Sequence, residues 1–281
     1  MSFSPEWLAL REPVDHVSRS HRVADAVERH FAGRAKVRVL DLGCGTGSNL
    51  RASYALLPDE QDWLLVDHDP ALLEAARTRL AAWGDGAREG DALLCRRDGK
   101  RIAVRFRQAD LSAGIGGLPT AAADLVTASA LFDLIGAEWI GRFAGEVAAA
   151  NAAFYTVLTY DGRDAFTPAH PADADVIATF AAHQGGDKGF GPAAGPRAPR
   201  VLAEAFAAAG YRVVEDDSPW RLGADQAGLA RELVGGIAQA VIEAGLPRAE
   251  AEGWRDFRLK HLEEGRIVTG HTDIFACPAP R

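Results

Sequence analysis

Short apolar segments alternate with longer amphipathic segments along much of the chain. The short segments are rich in Val, Leu, Ile and Phe, which is typical of strands that are buried on both faces. We predict strands at 37–42, 63–66, 102–108, 124–129, 153–160, 211–215 and 267–276. Strands that alternate with helices indicate βαβ units and a parallel sheet. The pattern therefore predicts an α/β fold.

The segments between these strands carry apolar residues at helical spacing. Val14, Val17, Val23, Val27 and Phe31 predict one amphipathic helix over 13–32. Further helices are predicted at 47–57, from Asp69 as N-cap and Pro70 in the first turn, at 137–150, 173–183 and 199–209, and as a pair within 225–264. The polar run 96–100 predicts a hairpin turn.

Composition narrows the class of protein. The chain has 281 residues, a net charge of −8 and a pI of about 5.5. This acidic balance argues against a nucleic-acid partner, which would require a basic stripe. Three widely separated cysteines, Cys44, Cys95 and Cys277, are typical of a reducing compartment. No apolar run is long enough for a membrane span and no signal peptide begins the chain, so we expect a cytoplasmic protein. The richness in Ala, Gly and Arg indicates a bacterial gene.

The most informative motif is the segment 39–47, where an apolar strand runs into a glycine turn. Gly43, Gly45 and Gly47 stand at alternate positions, and Asp41 lies two residues before the first of them. Glycine has no Cβ and tolerates positive φ, so a ligand can lie directly against this backbone. A dinucleotide-binding turn has Gly-x-Gly-x-x-Gly, which the spacing here does not fit. An NAD-linked oxidoreductase is therefore disfavoured.

This motif resembles motif I of the class I S-adenosylmethionine (SAM) dependent methyltransferases. The resemblance covers about 37–160 clearly and 201–276 in outline. It implies a Rossmann-like, seven-stranded, mostly parallel sheet with helices on both faces and an antiparallel last strand. We expect a single domain over 1–281, with an N-terminal helical segment at 1–36. A lid-like insertion at 161–200 and a helical insertion at 225–264 follow the fifth and sixth strands.

The resemblance also implies a set of cofactor-binding residues. They are Asp41, Gly43, Cys44, Gly45, Gly47, Asp67, His68, Asp110, Leu111 and Ser129. Asp41 would accept hydrogen bonds at the ammonium end of SAM, directly or through water. Asp67, which follows Gly45 by 22 residues, would hold the ribose hydroxyls. His68 would lie beside the adenine, and Asp110 and Leu111 would meet its amino group. Residues 129–131 would lie under the sulfonium, and Cys44 is interpreted as a packing residue.

Four candidate catalytic residues lie within or next to the lid-like insertion: His183, His170, Lys188 and Tyr160. A general base helps a hydroxyl acceptor but is often unnecessary for a thiolate or an unprotonated amine. Each of the four also fits a surface residue or a satisfied polar residue. Arg11 or Arg19, near the N-terminus, is a candidate partner for a carboxylate. No Cys/His cluster or His-Glu-x-x-His motif is present, so we expect no metal.

The sequence leaves several functions open. The first hypothesis is a SAM-dependent methyltransferase that transfers a methyl group to a small molecule by in-line displacement. The second is an enzyme of the same fold that methylates a protein or peptide side chain. The third is a SAM-binding module without turnover. The methyl acceptor and the oligomeric state are not predicted. No Asn/Asp-Pro-Pro-Tyr follows the strand at 124–129 and no Pro-Cys nucleophile is present. Their absence disfavours the methyltransferases of nucleic-acid bases.

Overall fold

The computed structural model describes residues 3–279. The strands among these residues are β1 (Lys36–Leu42), β2 (Glu60–Asp67), β3 (Ala87–Glu89), β4 (Ala92–Arg97), β5 (Lys100–Gln108), β6 (Leu125–Ser129), β7 (Ala153–Thr167), β8 (Tyr211–Asp217), β9 (Trp220–Leu222) and β10 (Arg266–Pro278). The α-helices among them are α1 (Pro5–Ser18), α2 (His21–Phe31), α3 (Ser48–Ser53), α4 (Pro70–Trp83), α5 (Ala137–Ala149), α6 (Asp173–Gln184), α7 (Ala198–Ala208), α8 (Ala227–Glu243) and α9 (Arg248–Lys260).

The described strands form one sheet, in the order β3-β4-β5-β2-β1-β6-β7-β10-β8, with β9 beside β10. β5, β2, β1, β6 and β7 run parallel to one another. β10 is antiparallel to both of its neighbours, β7 and β8. The seven strands from β5 to β8 in this order confirm the predicted mostly parallel sheet with an antiparallel last strand. β3, β4 and β9 are additions to it.

Local sequence signals position several element ends correctly. The Asp69 carboxylate accepts a hydrogen bond from the Ala71 N–H at 2.8 Å and so caps α4, as predicted. Asp98 and Gly99 form the turn between β4 and β5, with φ values of 47° and 82°. Side-chain chemistry next to a turn or helix end thus gives reliable local predictions.

The single helix predicted over 13–32 is wrong, because the chain breaks between α1 and α2. The Ser20 hydroxyl accepts a hydrogen bond from the Val23 N–H at 3.2 Å and caps α2. The Ser20 backbone N–H donates to the carboxylate of Asp273 at 2.9 Å. Since Asp273 lies on β10, at the other end of the chain, helical periodicity could not reveal this break.

The strand predicted over 153–160 is also longer than expected, because β7 continues to Thr167. Its last residues pair with β10, with Phe166 opposite Ile267 and Asp164 opposite Thr269. Residues 161–167, assigned from sequence to the lid-like insertion, therefore belong to an extension of the sheet in which β10 lies between β7 and β9. The pairing depends on β10, whose contribution no local pattern records.

Apolar residues cover both faces of the sheet. On one face, Phe132, Phe143, Phe154 and Phe206 are each at most 1% exposed, and the Phe154 and Phe206 rings stack 4.6 Å apart. On the other face, α2, α4, α8 and α9 bury a second cluster that includes Trp63 and Trp254. Two buried faces explain why the central strands read as continuous apolar runs. The sheet is therefore held rigidly, with its carboxyl edge free to form a site.

Candidate active site

The glycine turn after β1 forms one wall of the site. Gly43, Gly45 and Gly47 all have positive φ, at 61°, 52° and 78°. A Cβ on Gly43 would lie 3.2 Å from the Leu131 side chain, and one on Gly45 would lie 3.1 Å from Leu8. Glycine therefore meets both a conformational and a steric requirement at these positions. Gly47 does not line the site, since it precedes α3 and faces α4.

A cavity of about 530 Å³ lies at the carboxyl ends of the parallel strands. This is the edge at which ligands bind in open α/β sheets. Predicted cofactor residues that line the cavity are Gly43, Cys44, Gly45, Asp67, His68, Asp110, Leu111 and Ser129. The structure thus brings together most of the set that the sequence predicted, from four different strand ends.

Asp67 is held in place by backbone groups. One carboxylate oxygen, Oδ2, accepts from the Gly45 N–H at 2.9 Å, and Oδ1 accepts from the Asp69 N–H at 3.0 Å. The ring of His68 lies beside it, with Nδ1 3.3 Å from Oδ1, and is more than half exposed. Each carboxylate oxygen has a second lone pair, so Asp67 can still accept hydrogen bonds from a ligand in the cavity.

Asp110 and Leu111 follow β5 at the far end of the cavity. The Asp110 carboxylate accepts from the Ser112 N–H at 2.8 Å, and this hydrogen bond lowers the pKa of Asp110. The Leu111 carbonyl accepts from the Trp139 indole N–H at 2.9 Å, which fixes the loop on α5. Across the cavity, Ala130 has a φ of 50°, an uncommon conformation for a residue with a Cβ.

Asp41 does not reach the cavity, although it was predicted to bind the cofactor. Its Oδ1 accepts from the Asn49 side-chain amide at 2.8 Å, and its Oδ2 has no hydrogen-bond partner among the described residues. Asn49 also donates to the Thr127 hydroxyl at 3.1 Å and itself lines the cavity. Burial raises the pKa of Asp41 to about 7. Asn49, which was not among the predicted site residues, therefore lies between the Asp41 carboxylate and the cavity.

Helix α1 covers one side of the cavity with Leu8, Arg11 and Asp15. The helix is fixed to the glycine turn by Glu12, whose carboxylate accepts two hydrogen bonds from the Arg51 guanidinium, both at 2.7 Å. Arg51 also donates to the carbonyl of Thr46, within the turn, at 2.9 Å. The Arg51 guanidinium thus connects helix α1 to the glycine turn. No periodic signal in the sequence indicates this connection.

The structure separates the four candidate catalytic residues. Lys188 lines the cavity, together with Gly189 and Phe190. His183, His170 and Tyr160 do not line it, so their predicted contact with substrate is not supported. His183 lies 3.5 Å from the Glu243 carboxylate, the His170 ring packs on Phe257, and the Tyr160 hydroxyl donates to Asp164. His170 and Tyr160 fit the alternative interpretation of a satisfied polar residue, whereas the Nδ1 atom of His183 is buried without a hydrogen-bond partner among the described residues.

Two further groups bear on the chemistry of the cavity. The thiol of Cys44 has its pKa raised by burial, which agrees with its interpretation as a packing residue and not a nucleophile. Asp133 lies between two cavity-lining residues, Leu131 and Leu134, and burial raises its pKa to about 6. Its Oδ1 is buried without a hydrogen-bond partner among residues 3–279. The sequence predicts residues 131–133 as part of the acceptor pocket, but no local pattern shows that the Asp133 carboxylate is buried.

The described residues lack two other kinds of feature, a metal site and a membrane-spanning helix. Across 3–279, no group of three or more His, Cys, Asp and Glu residues is arranged to hold a metal ion. In the same part of the chain, no helix combines the length and apolar character that crossing a bilayer requires.

Comparison with known proteins agrees with this geometry. Residues 39–153 match the family model of a methyltransferase domain. No curated protein matches the chain. Among solved structures, the cyclopropane synthase MmaA2 from Mycobacterium tuberculosis is 11% identical, with a TM-score of 0.52, and the match covers 98% of this chain and 94% of that one. A cyclopropane-fatty-acyl-phospholipid synthase-like protein from Lactobacillus casei is 14% identical, with a TM-score of 0.53 and the same coverage.

The match over residues 39–153 shows that this part of the chain is a methyltransferase domain. The solved structures show that the whole chain has the class I methyltransferase fold. A methyltransferase domain supports an enzyme, and SAM is the cofactor consistent with it. At these identities, the solved structures establish the fold, whereas the methyl acceptor has to be inferred from the site itself.

Proposed function

We propose that this enzyme transfers the methyl group of SAM to a small molecule by in-line displacement. The observation that supports this proposal is the cover over the cavity. Helix α1 covers part of it on one side, and residues 188–190 cover part of it on another. A concave cavity of about 530 Å³ suits a cofactor and a small acceptor, whereas a protein substrate needs an open groove.

The cavity fits SAM on structural grounds. A Cβ at Gly43 or Gly45 would crowd the space between the turn and the facing leucines, so the turn is shaped for close approach to its backbone. We propose that Asp67 accepts hydrogen bonds from the ribose hydroxyls, and that Asp110 and Leu111 meet the adenine. This orientation directs the reactive end toward residues 129–131.

When bound, SAM supplies a methyl group on a sulfonium, which is already an excellent leaving group. The protein therefore has to position the acceptor and exclude water. We propose that Leu131, Leu134 and Phe190 provide apolar walls for this purpose. Lys188 is the one predicted catalytic candidate that we place at the acceptor. The domain organisation follows from this scheme, with 37–160 holding the cofactor and the flanking segments building the acceptor side.

Transfer assays separate the three candidate functions. The purified protein is incubated with methyl-labelled SAM and an extract of its source organism, divided into low-molecular-mass and protein fractions. Label in the low-molecular-mass fraction that disappears in the Asp67→Ala variant is the expected result. Label only in protein would favour the side-chain methyltransferase. The absence of label from both fractions would favour a SAM-binding module without turnover.

A further inference from the structure

The two basic side chains that line the cavity differ in whether an acidic residue pairs with them. Among the described residues, an arginine and a lysine line it, Arg11 and Lys188. The Arg11 guanidinium donates to both carboxylate oxygens of Asp15, at 2.7 and 3.2 Å. The indole N–H of Trp220 donates to the same carboxylate at 2.9 Å and the Arg11 guanidinium lies 4.8 Å from the Trp220 ring, so this pair is fixed. Arg11 is therefore already neutralised by its own helix.

Lys188 has no comparable partner. It forms no ion pair or hydrogen bond with any residue that the structure describes. The acidic group that interacts with it is Glu243, which is at the surface of α8 and pairs more closely with His183. The neighbouring Asp187 uses its carboxylate to accept from the Gly189 N–H at 2.7 Å. Lys188 thus lines the cavity without an ion pair or a hydrogen bond to the residues that the structure describes.

The segment around Lys188 is fixed over the acceptor side of the cavity. The Phe190 ring packs edge-on against Trp139, with their centroids 6.0 Å apart. Gly136 and Ala193 form an isolated β-bridge, which ties this segment to the turn after β6. A Cβ on Gly136 would lie 2.6 Å from the Phe190 carbonyl oxygen, so the two backbones are in close contact. Lys188 is therefore held near the apolar walls formed by Leu131 and Leu134.

The positive charge of Lys188 indicates which kind of ligand it can bind. The sulfonium of SAM brings a positive charge into the same cavity, and two like charges there repel each other. An anion from a third component reduces this repulsion and forms a charge-assisted hydrogen bond with the ammonium group. The carboxylates that line the cavity, those of Asp15, Asp67 and Asp110, form no ion pair or hydrogen bond with Lys188 in the described part of the chain. The methyl acceptor is the remaining component.

We propose that Lys188 binds an anionic group of the methyl acceptor, so that the acceptor is a small organic acid with an apolar body. The anionic group is a carboxylate or a phosphate, and the apolar body lies against Leu131, Leu134 and Phe190. This inference rests on the proposed function, because it requires a small acceptor in the covered cavity. It assigns Lys188 to substrate recognition and not to proton transfer.

The test uses matched probes on the full-length protein loaded with S-adenosylhomocysteine. Benzoate and phenyl phosphate are compared with the uncharged benzamide, and binding is followed by saturation-transfer NMR. We expect at least one acid to bind at least tenfold more tightly than benzamide, a difference of about 1.4 kcal/mol. The stronger of the two acids identifies the anionic group. The preference should be lost in Lys188→Met and retained in Lys188→Arg.

A control variant and the transfer assays separate a failure of this proposal from a failure of the proposed function. Lys260→Met removes an exposed lysine on α9 and should leave the preference intact. Equal binding of acids and amide, binding of neither acid, or a preference that survives in Lys188→Met would overturn the proposal while leaving small-molecule methylation standing. If transfer assays place the label only in protein, the proposed function fails and this inference fails with it.

Discussion

The two halves of the cavity are built in different ways. The cofactor half consists of strand ends, where Gly45, Asp67 and Asp110 each follow a buried strand and are fixed by nearby backbone groups. The acceptor half is assembled from α1, the turn after β6 and residues 188–190, which are far apart in the chain. The first half is rigid because the sheet is rigid. The second depends on ion pairs and single packing contacts, so substrate choice can change there without affecting the cofactor.

Removing the Asp67 carboxylate should disable the cofactor half most strongly. Asp67→Ala removes the proposed ribose acceptor and leaves the Gly45 N–H without its partner. We expect S-adenosylhomocysteine to bind at least tenfold more weakly, by about 1.4 kcal/mol, as measured by calorimetry. Asp59→Ala, at an exposed carboxylate, is the matched control. Unchanged affinity in a folded Asp67→Ala protein would remove this residue from the ribose site.

Shortening the segment 184–192 should affect the other half. The deletion removes Lys188 and Phe190 from the cavity but none of the strand ends. Turnover is expected to fall about tenfold, which corresponds to about 1.4 kcal/mol in the barrier. The affinity for S-adenosylhomocysteine should stay within about twofold of the wild type. A collapse of cofactor binding would show that this segment is not a substrate lid.

Asp41 should affect the stability of the fold and its pH dependence, because its carboxyl group is buried outside the cavity. Its raised pKa, about 7, means that the folded protein holds this proton more tightly than the unfolded chain does. This contribution to stability is fully present below about pH 4 and is lost as the pH rises through about 7. Asp41→Asn cannot titrate, so its free energy of unfolding relative to wild type should improve between these limits, by up to about 1.4 kcal/mol per pH unit. Urea unfolding at several pH values measures this difference, and a pH-independent difference would contradict the assignment.

A smaller effect on cofactor release is expected at the ion pair that joins the acceptor half of the cavity to the cofactor half. Glu12→Gln weakens the bidentate pair with Arg51 that fixes α1 to the glycine turn. Stopped-flow measurement should show S-adenosylhomocysteine leaving about threefold faster, since the cover opens more readily (about 0.65 kcal/mol). The exposed pair of Glu138 and Arg142 offers a control, in which Glu138→Gln leaves the rate unchanged. Equal rates in both variants would mean that α1 does not cover the cofactor.

The same division explains what the sequence could predict. Gly43 and the cap at Asp69 follow from patterns within a few residues, and Asp67 follows from the resemblance and its distance of 22 residues from Gly45. In the structure, Gly43 and Asp67 line the cavity and Asp69 caps α4. The end of α1 depends on Asp273, and the length of β7 depends on its pairing with β10. Such long-range partners leave no periodic signal in the chain.

The candidate site shows the same limit at the level of single residues. Among the predicted catalytic candidates, Lys188 reaches the cavity, whereas His183, His170 and Tyr160 face helices or strands outside it. Residue type alone could not separate them, because orientation depends on how each segment packs. The place of Asn49 in the cavity wall was not predicted for a related reason. Nothing in the sequence of a short helix indicates that one of its polar residues is buried.

We propose that the strand-end cavity holds the cofactor with its reactive end toward the acceptor half. A crystal structure of the complex with S-adenosylhomocysteine would test this arrangement. We expect ribose hydroxyls within hydrogen-bond distance of Asp67, adenine beside Asp110, and the sulfur beside residues 129–131. A ligand bound elsewhere, or bound with its adenine at 129–131, would contradict it.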